Sequence, residues 1–161
     1  MTGESEPALT TILVLRKGDR DRIVRHLRAA LPDEGVGLLA VEWNKSDGAR
    51  TAETRCFYPG ANVRPSPDRF ELDPVELMSA LRDIDRGGWE LGAIVHSHPT
   101  GPAKPSRIDL DEAFYPESLM LIASFTSDPP DLQAWRLERV GDGWVPRSVE
   151  IAEPETPRSS E

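Results

Sequence analysis

The sequence predicts a mixed α/β fold, a single domain in which helices pack on a mostly antiparallel sheet. Three observations predict it. Apolar, β-branched runs of strand length recur along the chain. Amphipathic segments with helical spacing lie between them. The 161 residues are enough to bury about two-thirds of the unfolded surface around one core. With 38% hydrophobic and 29% charged residues the composition is that of an ordinary folded domain, so disorder is expected only at the ends.

Residues 9–16 (LTTILVLR) read as a strand, and after Gly18 and Asp19 the segment 20–31 places Ile23, Leu27, Ala30 and Leu31 at helical spacing. Pro32, Asp33 and Glu34 break that helix. Residues 35–43 (GVGLLAVEW) read as a buried strand, 44–50 as a polar turn, and 51–58 as the returning strand of a hairpin. Gly60, Pro65 and Pro67 make 59–70 a long surface loop, of the kind that often carries function. Asp73 before Pro74 is an N-cap followed by proline at the first helical position, and an amphipathic helix runs from there until Gly87 and Gly88 end it. Next come a strand at 89–98, a short helix near 108–113 and an apolar strand at 119–125. Two antiparallel strands, 132–140 and 144–151, then turn at 141–143. The folded domain is therefore expected to span 9–151, between a flexible tail at 1–8 and a flexible acidic tail at 152–161.

The net charge of -9 and the scatter of Lys and Arg argue against a nucleic-acid partner, which needs clustered cations. Residues 1–8 hold Glu4 and Glu6 and no apolar stretch that would make a signal peptide or membrane anchor. The single cysteine, Cys56, cannot close an internal disulfide and reads as a packed thiol on a strand. A cytoplasmic protein without membrane association is the expectation.

The chemistry is concentrated in the fourteen residues from His96 to Asp109. On a strand, side chains two apart share a face, so His96 and His98 point one way while Val95 and Ser97 point the other. Two imidazoles and a carboxylate are a donor set that suits zinc and leaves a fourth position open. Gly101, Pro102 and Pro105 turn the chain, after which Ser106 and Asp109 have the spacing of a helix capping box. The same geometry aims Asp109 and the Ser106 hydroxyl back at the histidines. His26 falls on an arginine-rich helix and reads as solvent-facing. Metal-assisted hydrolysis also wants a carboxylate outside the ligand set to move a proton. Glu34, at the start of a strand after a turn, is the candidate, and spacing leaves Glu42 and Glu90 open beside it.

Together these residues resemble the JAMM (MPN+) metalloprotease family, whose pattern is an upstream glutamate, then His-x-His, seven residues, Ser, two residues and Asp. His96, His98, Ser106 and Asp109 match it, and Glu34-Gly35-Val36-Gly37-Leu38-Leu39 looks like the family's Glu-x-Cys-Gly-Leu-Leu, with Val36 where relatives often have cysteine. The resemblance covers nearly the whole chain and implies a cytidine-deaminase-like α/β fold. It also implies zinc held by His96, His98 and Asp109, with Glu34 as general base and then acid, ahead of Glu42 and Glu90. Ser106 would steady the oxyanion.

Within the family the chain is similar to the short prokaryotic Mec-type (CysO-cysteine peptidase-like) members. The similarity includes Asn62-Val63, Arg69-Phe70, Leu72-Asp73-Pro74, Trp89 and Ala113-Phe114-Tyr115-Pro116. It implies a ubiquitin-like sulfur-carrier protein as partner and hydrolysis of the amide between its C-terminal glycine and cysteine. An isopeptidase acting on protein lysines and a noncatalytic MPN scaffold are the alternatives. An extended Gly-Gly tail can lie along a sheet edge and reach a metal through a narrow groove. The walls of that groove are expected at 59–70 and 100–105, with Thr100, Gly101 and Pro102 as candidate contacts.

Overall fold

Apolar alternation and turn chemistry divide the chain much as the sequence predicts. The structure, a computed structural model, describes residues 9–154, so the tail expected at 1–8 and residues 155–161 of the tail expected at 152–161 lie outside the described residues, while Ala152 belongs to the last strand. In chain order the elements are β1 (Thr10–Val14), α1 (Lys17–Ala29), β2 (Val36–Ser46), β3 (Ala49–Gly60) and α2 (Pro74–Arg86). They continue with β4 (Glu90–His98), α3 (Arg107–Asp111), β5 (Leu119–Ser124), β6 (Asp131–Val140) and β7 (Gly143–Ala152). The segment 44–50, predicted to be a turn, is instead mostly strand. Only Asp47 and Gly48 turn, with Gly48 at φ 73°, a left-handed conformation that suits glycine in a tight hairpin. Helix α2 begins as its sequence requires. The Asp73 carboxylate accepts the N–H groups of Val75 and Glu76 at 2.8 and 3.1 Å, ahead of a buried stripe that includes Ala80 and Ile84.

The strands close into a barrel in the order β1-β3-β2-β4-β5-β6-β7, with β1 parallel to β7 at the seam. The sheet is more evenly mixed than predicted: β1 is also parallel to β3, and β4 to β5, while the remaining pairings are antiparallel. Alternation along β4 sends Ala93 and Val95 into the main core, where they join Leu39, Leu121 and the Ile23 and Leu27 of α1. Ile94 and His96 take the other face. Because β2 and β5 flank β4, the histidine strand offers no free edge along the paired length.

His26 does not face solvent. Its Nε2 lies 2.9 Å from the Val36 carbonyl and 3.0 Å from the Gly60 carbonyl, tying α1 to the start of β2 and the end of β3. Arg22, Arg25 and Arg28 take the exposed positions around it. One polar side chain on this helix turns inward because two strand-end carbonyls there need a donor.

Register is adjusted by bulges on both sides of β2. Its pairing with β3 shifts between Ala40 and Val41, and its pairing with β4 shifts between Leu39 and Ala40, which leaves Gly92 as the extra residue in β4. A Cβ at Gly92 would lie 2.3 Å from a Val41 methyl, so no side chain fits there. Gly92→Ala is expected to destabilise the protein by about 1–3 kcal/mol through overpacking, read as a lower urea midpoint. An unchanged midpoint would show that β2 and β4 can separate without loss.

Candidate active site

Four side chains from three parts of the chain meet at one point. His96 and His98 come from the end of β4, Asp109 from the first turn of α3, and Glu34 from the residue pair that leads into β2. One donor atom from each lies within 4.8 Å of the others, and all four residues are buried, His96 fully and Glu34 to 2% exposure.

The x of His-x-His does structural work on the opposite face. Ser97 Oγ accepts the Gly35 N–H at 2.8 Å, and the Ser97 N–H donates to the Gly35 carbonyl at 3.2 Å, so the residue after Glu34 is locked to the histidine strand. Glu34 is tied on its other side to the β3–α2 loop: its N–H donates to the Ser66 carbonyl at 2.8 Å and its carbonyl accepts Asn62 Nδ2 at 3.0 Å. That loop also sets the Phe70 ring against His96, stacked with centroids 4.8 Å apart.

Asp109 combines two duties. Ser106 Oγ accepts the Asp109 N–H at 3.0 Å while Asp109 Oδ2 accepts the Ser106 N–H at 2.9 Å, a reciprocal capping box. The same Oδ2 lies 3.1 Å from His96 Nε2 and 3.0 Å from His98 Nε2. His98 Nδ1 donates to the Pro102 carbonyl at 2.7 Å, which fixes its N–H outward and its Nε2 inward. A neutral His98 therefore points a lone pair at a carboxylate oxygen, an arrangement that needs a proton or a cation between them. Glu34 Oε2 and His96 Nδ1 are buried and have no hydrogen-bond partner among the described residues. The residues fit a divalent metal: one carboxylate oxygen and two imidazole nitrogens converge, with a further carboxylate beside them.

The electrostatics agree. Burial, then the neighbouring Asp109 charge, pushes the Glu34 carboxyl up to about 8, although His98 opposes this. Burial also works against ionisation of Asp109, but hydrogen bonds from His96 and His98 outweigh it and hold this carboxyl well below the usual range. For His98 burial opposes the charged form, yet the contacts to Asp109 and the Pro102 carbonyl raise its pKa. A bound cation would favour charged carboxylates and neutral imidazoles, the opposite of what burial gives Glu34 alone.

Beside the donors lies a cavity of about 400 Å³ whose wall includes Val36, Leu38, Phe70, Leu72, Ile94 and Met120 together with His96 and Asp109. Arg69 and Phe70, from the predicted loop, line it, and the facing wall is α3 and the residues Glu112 to Tyr115. None of Thr100, Gly101 and Pro102 lines this cavity. Instead the Pro102 carbonyl holds His98, and the Gly101 carbonyl accepts Ser124 Oγ at 2.7 Å. Ser97, Asn62, Ser66 and Phe70 carry the support of the site. In the sequence, Asn62 and Phe70 stand among the residues that carry the Mec-type similarity, while Ser66 is marked only by the Pro and Gly content of its loop. Glu42 is exposed and bonded to Arg55, and Glu90 is exposed at the start of β4, away from the donors.

Residues 17–138 match the family described as prokaryotic homologs of the JAB domain. The chain belongs to that family. As a prokaryotic JAB protein it is a hydrolase of the JAMM type. It is 41% identical over 103 residues to a probable TtuB-protein conjugate cleaving protease of Thermus thermophilus, a match covering 63% of this chain and 64% of that protein. It thus spans just under two-thirds of that relative. A desampylase of Haloferax volcanii is 34% identical over 144 residues, 86% of this chain and 96% of that one. The CysO-cysteine peptidase of Mycobacterium tuberculosis is 30% identical over 128 residues, 78% and 83% of the two chains. Among solved structures, protein DSY2949 of Desulfitobacterium hafniense superposes with a TM-score of 0.72 at 31% identity, over 91% of this chain and 94% of that one, which agrees with the JAB fold described above. Among the described residues no helix is long and apolar enough to cross a membrane.

The Glu34 shift has a measurable sign. Its folded pKa lies above the ordinary 4.5, so the folded state holds the proton more tightly than the unfolded chain, and the stability this adds is complete below 4.5 and lost as pH rises through about 8. His98 is shifted the same way, whereas the Asp109 contribution is lost only in acid, below its ordinary 3.8. The metal-free protein is expected to become less resistant to urea as pH rises from about 4.5 to about 8, and Glu34→Gln to flatten that decline. Equal slopes in the two proteins would remove Glu34 as its source.

Proposed function

We propose that this chain is a zinc-dependent peptidase that hydrolyses the amide bond at the C-terminal glycine of a ubiquitin-like carrier protein. The observation that carries this reading is the depth of the donors: His96, Glu34 and Asp109 are 0%, 2% and 6% exposed, so only a slim, extended chain end reaches them. The apolar cavity beside them suits the side chains that precede such an end. Because β4 is paired on both sides, the tail enters beside α3 and the β3–α2 loop rather than by adding a strand to β4.

His96, His98 and Asp109 would hold zinc, which when bound supplies Lewis-acid activation of water and carbonyl at neutral pH. Glu34, with Oε2 free of other partners, takes the proton of the attacking water and passes it to the departing amine nitrogen. Its raised pKa suits the acid half of that cycle, and a cation beside it suits the base half. Ser106 Oγ uses a lone pair on the Asp109 N–H, which leaves its own hydroxyl proton to donate to the oxyanion.

For the leaving amine, the side chain of a protein lysine is favoured. The relative at 41% identity is named for cleaving a protein conjugate, and the one matched over 96% of its length is named a desampylase. Release of free cysteine, implied by the Mec-type resemblance, is the second reading and is supported by the CysO-cysteine peptidase at 30% identity. Incubating the zinc-loaded protein with a carrier–lysine conjugate and with a carrier–cysteine adduct separates them. Cleavage confined to the cysteine adduct would reverse the order, and cleavage of neither would sink the reading. Glu34→Gln is expected to keep stoichiometric zinc and to lose about 10²- to 10⁴-fold in turnover. Ser106→Ala should lose about 10²- to 10³-fold, with a fall in stability of about 1 kcal/mol from the weakened cap. Full turnover in Glu34→Gln would take that residue out of the mechanism.

A further inference from the structure

One side chain ties the β3–α2 loop both to itself and to Glu34. Asn62 Nδ2 donates to the Glu34 carbonyl at 3.0 Å and to the Arg69 carbonyl at 3.2 Å, and its Oδ1 accepts the N–H groups of Arg64 and Glu71, both at 3.0 Å. Two donated and two accepted bonds are the full capacity of a carboxamide, and all four partners here are backbone groups. Three of them, Arg64, Arg69 and Glu71, lie within the loop, and the Val63 N–H closes the same turn onto the Glu71 carbonyl at 2.9 Å. The fourth, Glu34, is 28 residues away in sequence.

We propose that Asn62 is a positioning residue for the reaction, fixing the backbone of Glu34 against the loop that places Phe70 on His96. This rests on the role of Glu34 given above. Both polar backbone groups of Glu34 end on this loop, its carbonyl on Asn62 and its N–H on the Ser66 carbonyl, while Gly35 is held from the other side by Ser97. A glutamate at the entry to a strand would otherwise have the freedom of a loop residue. Gripped from both sides, its carboxylate is delivered to the donor cluster at a fixed distance, 3.7 Å from His98 Nε2. The grip also reaches the far wall of the cavity, because Arg69, whose carbonyl Asn62 binds, lies with its guanidinium 3.9 Å from the Glu112 carboxylate. No other side chain of this size offers two donors and two acceptors in one plane. Aspartate keeps the acceptors for Arg64 and Glu71 but sets a carboxylate against the Glu34 and Arg69 carbonyls.

The test uses the full chain loaded with zinc and two variants, Asn62→Asp and Asn62→Ala, so that a folding failure of the second leaves the near-isosteric first to be read. Amide exchange at Glu34 and Gly35 is expected to quicken about tenfold or more, while core amides such as Leu39 and Val95 stay protected. Zinc content should hold. Turnover should fall about 10²-fold with KM changed far less, the mark of a displaced proton carrier and not of lost tail binding. Unchanged protection at Glu34 would overturn the proposal, and so would loss of zinc or an effect confined to KM. Should the parent protein cleave neither carrier adduct, the assigned reaction fails, and exchange at Glu34 still decides whether Asn62 grips it.

Discussion

The site depends on the hydrogen-bonded register between β2 and β4. Val36 stands opposite His96, and one residue further out the Ser97 hydroxyl and N–H take both backbone groups of Gly35. Glu34 and the histidines, far apart in sequence, are neighbours only because of that pairing. A one-residue slip would turn His96 and His98 toward the apolar core and Val95 toward the cavity, so register and chemistry are a single constraint. The bulge at Gly92 and the buried Leu39, Val41 and Val95 keep it in place.

Four titratable groups buried within a few ångströms are a poor arrangement for a protein by itself. Burial favours a protonated Glu34, whereas Asp109 stays ionised because two imidazoles and the Ser106 N–H face one of its oxygens. Such a set suits a frame for something that is not part of the chain: a divalent cation would be held by His96, His98 and Asp109, and its charge would favour an ionised Glu34 beside it. The surroundings are divided: the Pro102 carbonyl aims His98 and the Ser106 N–H aims Asp109, while the cavity beside the donors is mostly apolar. Under the proposed reaction, a substrate amide entering there would leave water for a site whose dipoles are already oriented.

Much of this was legible in the sequence because its signals are local. The capping box at Ser106 and Asp109, the N-cap at Asp73 and the two-residue alternation of His96 and His98 each follow from spacing within one element, and the structure shows each of them. Barrel closure was not legible, since β1 lies parallel to strands far along the chain and no local pattern encodes that choice. His26 misled for a related reason: its arginine neighbours describe the helix surface, while its own partners, the Val36 and Gly60 carbonyls, belong to other elements. The polar hairpin tip misled in the opposite way, because Asn44 to Ser46 satisfy the sheet pattern with side chains left in solvent. Asn62 and Ser97 look like any loop or strand polar residue until their long-range partners are known.

Helix α3 is only five residues long, too short to hold itself together, and its first turn is closed by the same Asp109 oxygen that gathers the two imidazoles. Divergence of the fold is therefore not equally easy at every position of the site. Replacing Asp109 removes a donor and the helix start in one step, whereas the Glu34 side chain caps no helix and one of its oxygens has no hydrogen-bond partner among the described residues. A descendant that gave up hydrolysis but kept this architecture would have its easiest route through Glu34 and its hardest through Asp109.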